Sequence, residues 1–413
     1  MKLTTELRQG VHSVGYVDYN VRDFHSYDTQ RGATYNAYLV CDEKIALIDS
    51  VKAPFAAQLK RNVASLTDLN KVDYLVCLHA ELDHAGALPA MVEACPNATV
   101  VCTAKCKDAL AGFFNVESWK FQIVAPGESL SLGKRSLTFV PVPMVHWPES
   151  TVAYMPEEKI LFSNDAFGQH LATSERFVDE YDLAKVFEEA KSYYANIVAP
   201  YGRQVLKTLE TASKLDLEII APAHGLIWRS HFAELIQAYT AWASGKYAPK
   251  VLVLYDTMWQ STEIMAEEIY AGAVERAQII ARENPNEPRL DVQLMHVRKT
   301  TLTRIAHEAL DAAAVAFGSP TLNAYLMPTM ASVLAYFQGL KFREKTALAF
   351  GSFGWGVGGP EAIQKSLAEL KYPAITEAPL KAKQRPTPDV LQQCREAGAE
   401  LADAAWKRYL SDK

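Results

Sequence analysis

Short apolar runs in the first half of the chain end repeatedly in side chains that can bind metal. Tyr74-Leu75-Val76-Cys77-Leu78 reads as a buried strand and passes directly into His79-Ala80-Glu81-Leu82-Asp83-His84, four potential ligands within six residues. The alternating segment Leu137-Thr138-Phe139-Val140-Pro141-Val142 leads to His146, the run Lys159-Ile160-Leu161-Phe162-Ser163 to Asp165, and Glu218-Ile219-Ile220-Ala221-Pro222 to His224. Charged residues with an occasional histidine commonly fill a solvated loop. That reading weakens when the pattern recurs at successive strand ends, because gathering polar groups at one end of a sheet is costly unless something binds them. A mixed set of imidazoles and carboxylates suits two adjacent metal ions, and the carboxylates move the preference from zinc toward iron or manganese.

The second half changes rhythm. Val251-Leu252-Val253-Leu254-Tyr255 is followed by Asp256-Thr257-Met258-Trp259-Gln260-Ser261-Thr262 and then by Met265, Ile269, Ala273, Ala277 and Ile280 at helical spacing. Strand, hydroxyl-rich loop and helix start form a geometry that holds a phosphate on backbone amides, although such a loop by itself is often only a helix cap. It has neither the Gly-Lys-Ser/Thr of a P-loop nor the glycines of a dinucleotide fingerprint. Two further buried-strand patterns, Ala314–Phe317 and Thr346–Phe350, lead into Gly318-Ser319-Pro320-Thr321-Leu322-Asn323 and Gly351-Ser352-Phe353-Gly354-Trp355-Gly356. In an open parallel sheet such loops line the crevice beyond the carboxyl ends of the strands, and glycine lets the backbone approach a flat ring. Val390 to Leu410 reads as a closing helix.

Length and composition agree with two domains. The chain has 413 residues, 49% of them hydrophobic. The seam is expected near 248, where Ala248-Pro249-Lys250 separates the helix-like stretch Ile236 to Tyr247 from the next strand, giving domains 1–248 and 249–413. A net charge of -6 gives no reason to expect a nucleic-acid partner. No signal-type apolar segment and no membrane-spanning run is seen, so no membrane partner and a cytoplasmic location are expected. The six cysteines are sparse, and Cys102 and Cys106, the one close pair, match neither a redox nor a rubredoxin-type iron spacing; buried packing is expected for them.

The hexapeptide, His146, Asp165, His224 and the paired strands around Tyr38-Leu39-Val40 and Ile45-Ala46-Leu47-Ile48-Asp49 together resemble the metallo-β-lactamase superfamily. Hydrolases of that superfamily normally carry a second histidine where this chain has Glu81. That substitution is similar to the flavodiiron proteins, also called A-type flavoproteins. The resemblance implies an α/β chain, with an N-terminal metallo-β-lactamase-like αββα sandwich and a C-terminal flavodoxin-like doubly wound parallel sheet. It implies two irons, one held by His79, Glu81 and His146 and the other by Asp83, His84 and His224, with Asp165 bridging; some relatives hold the residue matching His84 off the metal. It implies FMN in the loops Thr257, Met258, Trp259, Gln260, Ser261 and Thr262, Ser319, Pro320, Thr321, Leu322 and Asn323, and Ser352, Phe353, Gly354, Trp355 and Gly356. His25 and Tyr194 resemble residues that line the iron pocket, and His170 is a candidate support for the ligands.

The activity this implies is reduction of O2 to water, of NO to N2O, or of both, with electrons from rubredoxin or a similar small donor. A head-to-tail homodimer, or a tetramer, would set the flavin of one subunit against the irons of another, with Trp147, Glu149, Trp259 and Trp355 near that junction. Two rivals remain. One is a di-zinc hydrolase with an appended flavodoxin domain, and the other is an electron carrier with an inactive metal site.

Overall fold

The computed structural model describes residues 4–413. They form two compact units. One comprises residues up to Tyr194 with Tyr201–Thr240, and the other Ala195–Pro200 with Ala241–Lys413.

The first unit is built on two sheets. The larger runs, in spatial order, Thr5–Arg8, Val11–Ser13, Tyr38–Cys41, Ile45–Ile48, Val72–Val76, Thr99–Cys102 and Phe121–Ile123. Pairing is antiparallel as far as Ile45–Ile48 and parallel beyond it. The smaller runs Ser129–Ser131, Ser136–Pro141, Thr151–Met155, Ile160–Asn164 and Ile219–Pro222, antiparallel except for its last pair. Strand alternation sends Val40, Ile48, Val76, Phe139, Ala153 and Phe162 into one core between the sheets. Leu39, Leu47 and Leu75, on the opposite face of the larger sheet, pack in a second core with the helices Ala56–Ala64, Leu88–Ala94 and Ala104–Phe113. The helix Gly202–Ala212 forms an outer layer on the smaller sheet, where Val140, Val152 and Leu161 face Gln204, Lys207 and Thr208. The architecture is therefore the expected αββα sandwich.

The second unit is a five-stranded, all-parallel sheet in the order Asp291–His296, Ala248–Tyr255, Ala312–Gly318, Thr346–Phe353, Leu380–Lys383. Numbered within the unit this is 2-1-3-4-5, the flavodoxin-like doubly wound order, whose switch point lies between its first and third strands. The helices Ser261–Glu283 and Pro388–Ser411 bury Met265, Ile269, Ala273, Cys394 and Leu401 against one face. The helix Pro328–Leu340 covers the other, with the Phe317 and Phe337 rings 5.4 Å apart. All six cysteines are free thiols, and Cys102 and Cys106 are buried as expected. No helix among the described residues is long and apolar enough to cross a membrane.

Candidate functional site

The hexapeptide is only partly a loop. After Val72–Val76 the chain runs extended through Glu81, then Leu82–Ala85 forms one helical turn that leaves Leu82 exposed and buries Asp83 and His84. Asp49, which the sequence reading did not single out, holds this entry in place. Its Oδ1 accepts from Leu78 N at 2.8 Å and its Oδ2 from Asn164 Nδ2 at 2.9 Å, tying the strand ends on either side of the cluster. Asp165 and His224 follow their strands within two residues, whereas His146 lies five residues beyond Pro141 on a loop. That loop is pinned at its base by Val142 N donating to Ser150 O at 2.8 Å.

The seven ligand-type residues converge as two groups, His79, Glu81, His146 and Asp165, and Asp83, His84 and His224; within each group one ligand atom per residue lies within 4.8 Å of all the others. All four imidazoles turn Nε2 inward. His79 and His146 each place Nε2 at 3.2 Å from Glu81 Oε2 and 3.4 Å from Asp165 Oδ2. His84 Nε2 is 3.0 Å and His224 Nε2 3.5 Å from Asp165 Oδ1. The two oxygens of Asp165 thus face different groups. The opposite nitrogens are occupied where they are tied: His79 Nδ1 bonds Glu149 Oε1 at 2.8 Å, and His224 Nδ1 donates to Thr34 O at 2.7 Å. Such contacts set ring orientation and leave Nε2 as the donor atom. Gly225 supports the turn after His224. It sits at φ +79°, where a Cβ would lie 2.2 Å from Gln169 Oε1.

The electrostatics fit a bound cation. Asp83 Oδ1, Asp165 Oδ2 and His84 Nε2 are buried at ion-pair distance from their neighbours but make no well-directed hydrogen bond, a costly state that a positive ion among them relieves. Burial pushes the imidazoles toward neutrality, yet the surrounding carboxylates dominate, lifting His79, His84 and His146 to about 9 and His224 to about 10. Burial likewise opposes ionisation of Asp165, but the facing imidazoles hold its carboxyl well below the usual range. Protons on the imidazoles stand where metal charge belongs.

Around this cluster His25 occupies the tip of a hairpin between Asp23–Phe24 and Tyr27–Asp28. His25 and Ser26 both have positive φ, as a two-residue hairpin loop of the I′ type requires. The His25 side chain is 60% exposed, with Nε2 3.1 Å from Glu81 Oε1. Tyr194 is not brought to the cluster; its ring packs 5.4 Å from Tyr239. Its neighbour Tyr193 is the tyrosine there, its hydroxyl donating to Asp165 Oδ1 at 3.0 Å. Both tyrosines are buried, Tyr193 on the face of Val186 and Ala190 at the end of the helix Leu183–Tyr193 and Tyr194 at the start of the π-helical turn that follows, so the apolar pattern held no signal that separates them. Lys52 was also missed. Its ammonium lies 4.1 Å from the Phe24 ring centroid, and the same Phe24 ring is 6.2 Å from His224. His170 packs against His224, Tyr193 and Phe24 with Nε2 buried and no hydrogen bond. Burial and the neighbouring His224 push it down to about 3, keeping it neutral. Trp147 stands edge-on to His79 at 5.0 Å.

In the second unit the three loops leave the sheet from neighbouring strand ends. Asp256 anchors the first, accepting from Thr257 N and from Arg298 Nε, each at 2.7 Å. Met258 and Trp259 are 43% and 87% exposed, Gln260 takes φ +66°, and the helix begins at Ser261. Several predicted hydroxyls are already engaged. Thr262 and Ser352 share a bond of 2.9 Å, Ser319 Oγ donates to Pro320 O and accepts from Met327 N, and Thr321 Oγ1 accepts from Gly358 N and Gly359 N. Thr257 Oγ1 stays buried without a partner. Leu322 closes a turn with Tyr325 around Asn323, at φ +51°. Gly351, at φ +158°, brings its backbone so close that a Cβ would lie 1.9 Å from Ser319 O. Beyond Phe353, Gly354 and Gly356 face open space, and Trp355 projects fully exposed. An orphaned hydroxyl before a helix start, beside uncovered aromatic rings, fits a phosphorylated flat ring system.

Comparison with known proteins agrees with both halves. The ODP family beta lactamase pattern matches residues 33–225 and the flavodoxin pattern residues 253–398. The chain is 41% identical over 406 residues to the nitric oxide reductase of Moorella thermoacetica, covering 97% of this chain and 99% of that one. It is 40% identical over 405 residues to the rubredoxin-oxygen oxidoreductase of Megalodesulfovibrio gigas, covering 97% and 98%. Its structure superposes on the flavodiiron protein of Giardia intestinalis with a TM-score of 0.93 at 39% identity, over 99% of this chain and 98% of that one. An αββα unit with a two-part ligand cluster, followed by a flavodoxin-like unit and matched over nearly full length by such relatives, places this chain in the flavodiiron protein family.

Proposed function

We propose that the protein is an FMN- and di-iron-dependent oxidoreductase that takes electrons from a rubredoxin-like donor and reduces O2 to water, NO to N2O, or both. The observation that carries this reading is the pair of buried ligand groups with one Asp165 oxygen turned to each, in a chain whose other unit is flavodoxin-like. Relatives named for both activities support it, and they do not favour the hydrolase alternative. His79, Glu81 and His146 would hold one iron, Asp83, His84 and His224 the other, and Asp165 would bridge, in a domain of residues 1–248. The loops at 257–262, 319–323 and 352–356 would hold FMN in a domain of residues 249–413. A cytoplasmic location and a head-to-tail homodimer or tetramer belong to the same reading; two-fold assembly is the commonest form for soluble oligomers.

When bound, the flavin supplies one-electron carriage and the iron pair supplies open coordination positions and redox equivalents for a diatomic ligand. The balance requires four electrons and four protons per O2, or two of each per pair of NO molecules. The chain's own groups set the surroundings. Glu149 and Thr34 orient His79 and His224. Trp147 and Phe24 exclude water from the ring faces. His25 Nε2 would offer a hydrogen bond to a small ligand or its reduced product, and the Tyr193 hydroxyl, on Asp165 Oδ1, takes the place beside the ligands that was expected of Tyr194.

Elemental analysis and flavin absorbance of the purified protein, followed by anaerobic NADH, reductase and rubredoxin with O2 and NO consumption recorded separately, test the proposal. Iron, FMN and rubredoxin-dependent consumption of at least one gas are expected. Zinc without flavin absorbance would overturn it.

A further inference from the structure

A cavity of about 240 Å³ lies between the helix-facing side of the smaller sheet and the helix Gly202–Ala212, away from the ligand groups described above. Strand alternation creates it. Phe139, Ala153 and Phe162 turn into the core between the sheets, so Val140, Val152 and Leu161 turn toward the helix. The helix sends Val205 and Leu209 inward and leaves Lys207 and Thr208 along the cavity's edge, so the space over the three aliphatic side chains is not filled. Phe167 and Leu215 complete the apolar lining. Lys207 is the one charged side chain that lines the cavity; it is exposed, and it has no ion-pair partner among the described residues.

We propose that this cavity binds a small amphipathic monocarboxylate of the medium-chain fatty acid class. The hydrocarbon would lie on Val140, Val152, Leu161, Phe167 and Leu215, and the carboxylate would meet Lys207 and the Thr208 hydroxyl at the mouth. An apolar cavity many times the roughly 30 Å³ share of one water favours an apolar occupant over scattered waters. No acidic side chain lines it to repel an anion, and an unpaired ammonium at the rim selects an anionic head over a neutral one. The cavity adjoins the ligand-bearing segments along the backbone. Ala166 and Phe167 directly follow Asp165, and Val142, also in the lining, holds the base of the loop that carries His146.

Calorimetric titration of the full-length protein with sodium octanoate, and with octanol as the uncharged counterpart, tests the proposal independently of any redox assay. Saturable octanoate binding at one molecule per chain is expected. Thr208→Trp, which fills the cavity from the half-exposed helix side, should abolish it. Lys207→Ala should weaken octanoate by about tenfold while leaving octanol binding unchanged. Circular dichroism confirms that each variant is folded. Absence of saturable octanoate binding overturns the proposal, as does binding that survives in folded Thr208→Trp. Equal weakening of octanoate and octanol by Lys207→Ala overturns the assignment of the carboxylate. If octanoate fails to bind and Thr208→Trp splits an assembly in sedimentation, the groove is an interface between copies and the ligand site is wrong.

Discussion

At the ligand cluster, binding is left to side chains. Four imidazoles and three carboxylates from four separated stretches of chain turn inward, and their uncompensated atoms are buried. At the end of the parallel sheet the side chains have largely spent their hydrogen bonds on one another: Thr262 on Ser352, Ser319 on its own loop, and Thr321 on Gly358 and Gly359. What faces outward there is backbone at glycines and uncovered aromatic surface. A hard cation demands specific donor atoms in a fixed shell, whereas a flat phosphorylated ring can be held by amides, a helix start and van der Waals contact. Single substitutions should therefore act sharply in the first region and gradually in the second.

The largest effect is expected from Asp165→Ala, which removes the oxygens facing both groups. Iron per chain, measured by elemental analysis, should fall for both ions together, and turnover should drop by at least about 10²-fold. Loss of only one ion would mean that Asp165 serves one group alone. The next effect is a pH dependence peculiar to this region. His79, His84, His146 and His224 are lifted from 6.5 to between about 9 and about 10 in the metal-free fold, chiefly against burial and by their carboxylate partners. Their contribution to metal-free stability is complete below pH about 6.5 and is lost as the pH rises through about 9 to 10. Metal entry must displace those protons, so cobalt(II) affinity should climb by about tenfold per pH unit for each proton released between pH 6.5 and 8.5. A flat titration would contradict the proton-for-metal exchange.

A smaller loss is expected for Glu149→Gln. It touches the cluster through His79 Nδ1 and Ala80 N, and metal affinity should fall by about 10- to 100-fold with the fold intact by circular dichroism. The smallest effect should come from the other region. Thr257→Val replaces a buried, unpartnered hydroxyl by a methyl group. Thermal denaturation of the flavin-free protein should show a gain of about 1 kcal/mol, while FMN affinity, followed by fluorescence, falls by about tenfold. If stability dropped instead, Thr257 would be a structural residue and the contrast between the regions would narrow.

Much of this was written in local pattern. Period-two and period-3.6 apolar spacing located the strands around the hexapeptide and the helix carrying Met265 to Ile280, because burial of one face imposes its period on any chain that folds this way. The ligand types and their strand-end positions, the Glu81 substitution and the flavodoxin-like loops were likewise legible, since each is a local choice of residue. Only the tertiary structure decided which atoms meet. It used up the hydroxyls of Ser319 and Ser352 internally, brought in Asp49, Thr34 and Lys52 from distant positions, and turned Tyr193 rather than Tyr194 toward Asp165. Residue type and spacing are properties of the chain. Hydrogen-bond partnership between residues separated by a hundred positions or more depends on how sheets and helices pack, and no local pattern encodes it.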